Sequence, residues 1–113
     1  MRWVLLPLVL LSACSKGPEG DLPSIGEARS LGAEWATVNE QAQREHLTGP
    51  YVETMREQLR EQLQTTSTSL TLPHSPYGEE IRAILAEPAD APPEELRAHA
   101  AKLKQIEDNI ESA

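Results

Sequence analysis

Histidines, paired carboxylates, hydroxyls and a single thiol are the side chains of this 113-residue chain with chemistry in them. His46, His74 and His99 are the residues suited to metal binding or proton transfer, yet no two stand in HxH, HxxxH or HExxH spacing. With one cysteine in the chain, at Cys14, thiolates cannot complete a local zinc set either. We read His46 as closing the carboxyl end of a first helix and His74 as a turn residue. His99 we read as a helix-surface partner of Glu95, four residues before it. Glu79-Glu80 and Glu94-Glu95 are adjacent carboxylates, the residue type used in general acid–base pairs. Each pair falls in the first turn of a predicted helix, where negative charge simply suits the helix dipole. Ser67 and Ser69 sit in no GxSxG elbow, and the chain has no glycine-rich phosphate loop. These patterns predict no catalytic site, no metal site and no cofactor.

Cys14 has a different context. Met1-Arg2 is followed by the apolar run Trp3-Val4-Leu5-Leu6-Pro7-Leu8-Val9-Leu10-Leu11, which closes in Leu11-Ser12-Ala13-Cys14. An aliphatic residue, two small residues and a cysteine in that order resemble a bacterial lipobox. The resemblance implies a diacylglyceryl group on the Cys14 thiol, cleavage between Ala13 and Cys14, and further acylation of the new amino terminus. Ser15, rather than an aspartate, follows the cysteine, and by the familiar sorting rule this implies the outer membrane. The positive start and nine-residue apolar run also suit a secretory leader of roughly 7–15 apolar residues. A spanning helix needs about 20. Acylation further accounts for an unpaired cysteine in an exported protein. Beyond the lipobox, the chain resembles small helical lipoproteins of proteobacteria, a likeness that brings no functional residues with it.

Loss of Arg2 with the leader leaves nine basic residues against eighteen acidic ones, a formal charge of −9. Such a surface is repelled by phosphate, which disfavours nucleic acid and anionic lipid head groups as partners. Membrane attachment is therefore expected through the covalent lipid on Cys14. There is no Phe, and past the leader the aromatic residues are Trp35, Tyr51 and Tyr77. The core must be built from Leu, Ile, Val, Ala and Met, with a thin stability margin for one small domain.

The organisation of the chain follows from its punctuation. Residues 1–13 read as a lipoprotein signal peptide and 14–23 as a lipidated flexible tether, rich in Gly and Pro. Residues 24–113 read as a helical domain. Ser24-Ile25-Gly26-Glu27 fits a capping box, and Ala28, Leu31, Trp35, Val38 and Ala42 then recur at helical spacing. Gly32 either weakens this helix or admits a close neighbour. The helix is expected to stop near Leu47, before Thr48-Gly49-Pro50. Pro50 suits the first turn of a second helix, with the stripe Val52, Met55, Leu59 and Leu63. Glu53–Arg56 and Glu57–Arg60 are possible i,i+3 pairs on its surface. A short connection makes these two helices antiparallel neighbours. Hydroxyl and β-branched residues make 65–71 ambiguous, and the helix is expected to reach about Leu70.

A third, short helix starts at Ser75 or Pro76 and buries Ile81, Ile84 and Leu85. A rigid proline-rich connection follows, with Asp90 as the expected N-cap of the last helix. That helix, about 92–111, places Leu96, Ala100, Leu103, Ile106 and Ile110 on one face. The predicted fold class is all-α, a small helical bundle built on an antiparallel helix hairpin.

For function, these readings predict a lipid-anchored envelope protein, periplasm-facing, with a non-catalytic interaction or structural role. Trp35, Tyr51 and Tyr77 are the candidate contacts for an envelope partner, since aromatic residues are favoured at interface hot spots. Trp35 lies on the apolar stripe and is read first as a core anchor. One alternative is a pilotin-like accessory that presents a groove and carries a partner to the outer membrane. In that case Trp35 is exposed in the free protein. A second alternative is a small-ligand or metal binder using the acidic surface and the histidines.

Overall fold

Prolines and small polar residues decide where the helices begin. A computed structural model of the protein describes residues 17–113, so the segment expected to be a leader, with Ala13 and Cys14, lies outside the described residues. Among the described residues five helices follow in order: α1 Gly17–Gly20, α2 Leu22–Gln43, α3 Gly49–Thr68, α4 Pro76–Leu85 and α5 Pro93–Glu111. Among the described residues there is no strand, and the all-α bundle expected from periodicity is the fold.

The core takes a stripe from each long helix. Ile25, Ala28, Leu31, Trp35 and Val38 of α2 meet Val52, Leu59 and Leu63 of α3 and Leu96 and Leu103 of α5, with Ile81 and Ile84 of α4 closing one side. Each fully buried Leu or Ile contributes on the order of 1.5–3 kcal/mol through removal from water. The most extensive packing is between α2 and α5, ahead of the α2–α3 hairpin. Gly32 sits at that α2–α5 contact, beside Ala100 and Leu96. Of the two roles open to it, it admits a neighbour.

Several helix ends differ from expectation. The predicted tether is partly helical, because α1 covers Gly17–Gly20 and α2 begins at Leu22 with Pro23 in its first turn. The capping box at Ser24 is not used, and Asp21 holds the N-cap position without capping its own helix. Its carboxylate instead serves donors from another part of the chain, described below. The α2 helix ends at Gln43, short of Leu47. Glu45 adopts a left-handed backbone (φ 58°), and the His46 and Glu45 N–H groups donate to Gln41 and Ala42 carbonyls at 2.9 and 3.0 Å. That is a Schellman closure with a non-glycine residue in its left-handed position. Thr48 and Gly49 then belong to the next helix. Thr48 Oγ1 accepts from the Tyr51 N–H at 3.4 Å, and Pro50 stands where a missing N–H costs nothing.

The ambiguous 65–71 segment is helical as far as Thr68, two residues short of the expected Leu70. Thr65 and Thr68 hydroxyls donate back to the Glu61 and Thr65 carbonyls at 3.1 and 2.9 Å, keeping their polar groups within the helix. Leu70 is buried although it is no longer helical. Ser75 caps α4, its Oγ accepting from the Gly78 N–H at 3.1 Å. Gly78 is required by proximity, since a Cβ there would lie 2.3 Å from the Pro73 carbonyl oxygen. Asp90 does not cap α5. Pro92 takes that position without a side-chain hydrogen bond, and Asp90 stands too early in the chain to reach the first turn.

Candidate functional site

Three polar constellations emerge once the helices pack, and none is local in sequence. The first centres on His99. It lies one helical turn from Leu96 and Leu103 on α5, at the edge of the buried stripe, so its ring faces α4. Its Nδ1 is hydrogen-bonded to Glu80 Oε2, and its Nε2 lies 2.8 Å from Glu87 Oε2. The expected pair with Glu95 is not made, because Glu80 of α4 and Glu87, just past the end of α4, claim both ring nitrogens. Glu80, read as a dipole-compensating residue, is buried, and Lys102 Nζ stands 3.7 Å from its other oxygen. Its neighbour Glu79 behaves as a surface residue and pairs with Arg82 at 2.7 Å.

Burial by itself would lower the His99 pKa. Hydrogen bonds and charge from Glu80 and Glu87 outweigh burial and hold it above the ordinary imidazole value. An imidazolium donates from both nitrogens, which suits two acceptors. The raised value means that this clasp stabilises the fold fully below the unfolded value of about 6.5, and that the contribution is lost as pH rises through the folded value. His99→Gln is expected to cost roughly 1.5–3 kcal/mol at pH 5.5, as for hydrogen bonds to charged groups. The difference between wild type and variant should shrink at pH 9, as read by urea denaturation. A gap that stays constant with pH would disprove the charged clasp.

The second constellation ties the start of α2 to the α3–α4 turn. Asp21 Oδ1 accepts from the Thr71 N–H at 2.8 Å, and Oδ2 accepts from the Leu72 N–H at 3.0 Å and from the Tyr77 hydroxyl at 2.6 Å. The carboxylate is 2% exposed and every donor it meets is provided by the protein. Burial alone would raise the Asp21 pKa, but the Tyr77 hydroxyl and the two backbone N–H groups bring it below its ordinary value. Burial, and then the bond to Asp21, push the Tyr77 phenol up to about 12.

The third fixes the α4–α5 connection against α2. Trp35 Nε1–H and Asn39 Nδ2–H both donate to the Ala89 carbonyl, at 3.0 and 3.1 Å, and Asn39 also donates to the Ala91 carbonyl at 2.9 Å. Asn39 Oδ1 accepts from Arg56 Nε at 2.8 Å, while the Arg60 guanidinium lies 5.5 Å from the Trp35 ring centroid. These contacts replace the surface pairs expected with Glu53 and Glu57.

The aromatic candidates therefore separate. Trp35 is fully buried and Tyr77 is 2% exposed, so neither is available to a partner in the folded protein. Each has its polar tip satisfied internally, which is how buried Trp and Tyr are accommodated. Tyr51, at 51% exposure, is the one of the three that remains on the surface. Its sequence neighbours Pro50 and Val52, but not Tyr51 itself, line an open cleft of about 650 Å³ at the α2–α3 turn, with Ala42, Leu47 and Arg56. His46 is exposed beside it and bonds Gln41 Oε1 at 2.6 Å rather than the last carbonyls of α2. His74 lies in the α3–α4 turn as expected.

Among the described residues no group of three or more His, Cys, Asp or Glu side chains is placed to hold a metal ion. The His99 cluster has the residue types for it, but its two carboxylates occupy opposite ring nitrogens. No helix among the described residues is long and apolar enough to cross a membrane. One signal for the clasp was present in the sequence. Glu80 and Glu87 are seven residues apart, the spacing of two turns had the helix run on past Leu85, where it ends. That spacing offered no means of choosing His99 as their partner. Comparison with family models, with curated proteins and with solved structures finds no match.

Proposed function

We propose that this chain is a lipid-anchored cell-envelope protein that acts without catalysis, as an interaction or structural component. The observation that carries the reading is the sequence Leu11-Ser12-Ala13-Cys14 at the end of a nine-residue apolar run. Cys14 is the anchor, Ala13–Cys14 the cleavage site, and the outer membrane the destination, with the helical domain on the periplasmic side. The arrangement of the domain supports a non-catalytic role. Buried Asp21, Asn39 and Glu80 are hydrogen-bonded within the protein, and His99 has both ring nitrogens engaged by carboxylates. Burial of Trp35 weighs against the pilotin-like alternative in the form that needs an exposed tryptophan. Of the three aromatic candidates, the exposed Tyr51 is the contact left for an envelope partner.

Mass spectrometry of the protein isolated from membranes tests the anchor. The wild type should begin at Cys14 and carry the mass of a diacylglyceryl group. Cys14→Ala should lose the modification and move from the membrane to the soluble fraction. An unmodified Cys14 in the wild type would overturn the reading. Cross-linking both forms in cells then separates the roles. A partner captured by the wild type alone makes the protein an anchored adaptor, whereas equal capture makes the domain the recognising part.

A further inference from the structure

The α5 stripe outlasts the neighbours that seal it. Leu96, Ala100 and Leu103 are buried, but Ile106 and Ile110, one and two turns further on, are only partly covered. They line a groove of about 440 Å³ whose other walls include Pro18 of α1, Pro76 of α4 and Asn109. Among the described residues Glu19 is the one charged side chain that lines it. Unlike the cleft at the α2–α3 turn, which carries Glu45, Glu53 and Arg56, this one is apolar over most of its wall.

The position of the groove identifies its occupant. Pro18 forms part of the wall, and Cys14 lies four residues upstream. At roughly 3.6 Å per extended residue, the Cys14 Cα stays within about 14 Å of Pro18. The residues between them begin Ser15-Lys16, polar side chains that offer nothing to an apolar groove. The nearest apolar matter is therefore whatever alkyl chain Cys14 carries. The acidic surface of the domain gives no attraction to anionic head groups that would hold this end against a bilayer.

Building on the anchoring reading above, we propose that the Ile106–Ile110 groove receives an acyl chain from Cys14 of the same molecule. Away from a membrane, the domain shields part of its own anchor. At a membrane, the chain leaves the groove for the bilayer, where burial is complete. Each methylene the groove covers favours the shielded form by about fourfold.

The test uses the mature chain beginning at Cys14, the form that the proposed processing leaves. Its single thiol is alkylated with hexadecyl maleimide or, as control, with methyl maleimide. Hydrogen exchange and partition into neutral phosphatidylcholine vesicles are then measured. Amides near Ile106 and Ile110 should exchange about tenfold more slowly in the hexadecyl form than in the methyl form. Hexadecyl Ile110→Glu should partition into vesicles about tenfold more strongly than hexadecyl wild type, because it has no shielded state to leave. Ile106→Gln, a milder change, should shift partition in the same direction, and circular dichroism checks that both variants keep their helices. Equal exchange and equal partition would overturn the proposal. So would dimerisation of the methyl form through this face, which would make a second copy the occupant. Finding no lipid on Cys14 in cells would defeat the anchoring reading instead, a failure separate from any behaviour of the chemically alkylated protein.

Discussion

Replacing Trp35 with alanine is expected to remove about 3–5 kcal/mol of stability, as for other large-to-small aromatic changes in a core. Small domains have only about 5–15 kcal/mol in total, so this variant should be close to unfolded at 37 °C. The loss arises mainly from the cavity. Ala89, the carbonyl that the indole N–H serves, keeps its bond from Asn39, so no buried acceptor is orphaned. Trp35→Phe should therefore recover much of the loss, because the ring fills most of the space and the missing N–H leaves nothing unpaired. Urea denaturation followed by circular dichroism measures both. A Trp35→Ala protein as stable as wild type would show that the indole is not the anchor of the α2 core, and would restore it as a candidate partner contact.

The second large effect concerns Asp21, a residue that reads as part of a tether. Asp21→Ala should cost about 2–4 kcal/mol, since it leaves the buried Tyr77 hydroxyl and the part-buried Thr71 and Leu72 N–H groups without their acceptor. A buried unsatisfied donor carries a penalty of roughly 1–3 kcal/mol, the two part-buried N–H groups less because water can reach them, and the three share one carboxylate, so the costs do not simply add. Tyr77→Phe removes one donor along with its bond and should cost roughly 0.5–1.5 kcal/mol. The pH dependence has a definite sign at each end. The folded Asp21 pKa is depressed, so its contribution is present above the unfolded value of about 3.9 and is lost as pH falls through the folded value. The Tyr77 pKa is raised to about 12, so its contribution is present below about 10 and is lost as pH rises between the two values. Trp35 fluorescence against urea at pH 2.5, 7 and 11 reads both edges. If Asp21→Ala matches wild type at pH 7, the tie between α2 and the α3–α4 turn contributes nothing.

Asp21 also shows why a tether boundary drawn from composition fell a few residues late. Gly17, Pro18, Gly20 and Pro23 are the residues of a linker, and nothing near them in sequence indicates a partner fifty residues away. Pro23 is equally at home in the first turn of a helix, and the choice between the two roles lies with Thr71, Leu72 and Tyr77. The same applies to Arg56 and Arg60. Spacing pairs them with Glu53 and Glu57, but surface pairs are worth only a few tenths of a kcal/mol. The buried Asn39 amide and the face of Trp35 compete successfully for both guanidinium groups.

Periodicity was enough for the α2, α3, α4 and α5 stripes, because helical spacing of apolar residues is local information, written every three or four positions. Ser75-Pro76 and Thr48-Gly49-Pro50 marked helix starts for the same reason: a cap and its N–H lie within one turn. The Leu11-Ser12-Ala13-Cys14 run, on which the proposed anchor rests, is likewise contiguous in sequence. His99 between Glu80 and Glu87, Asp21 beneath Tyr77, and Asn39 against the 89–91 connection were decided only by tertiary structure. A side chain's hydrogen-bond partner across a helix interface depends on the rotation and depth at which the helices meet. Packing of whole stripes sets those two quantities, and the amino-acid order along any one helix does not contain them.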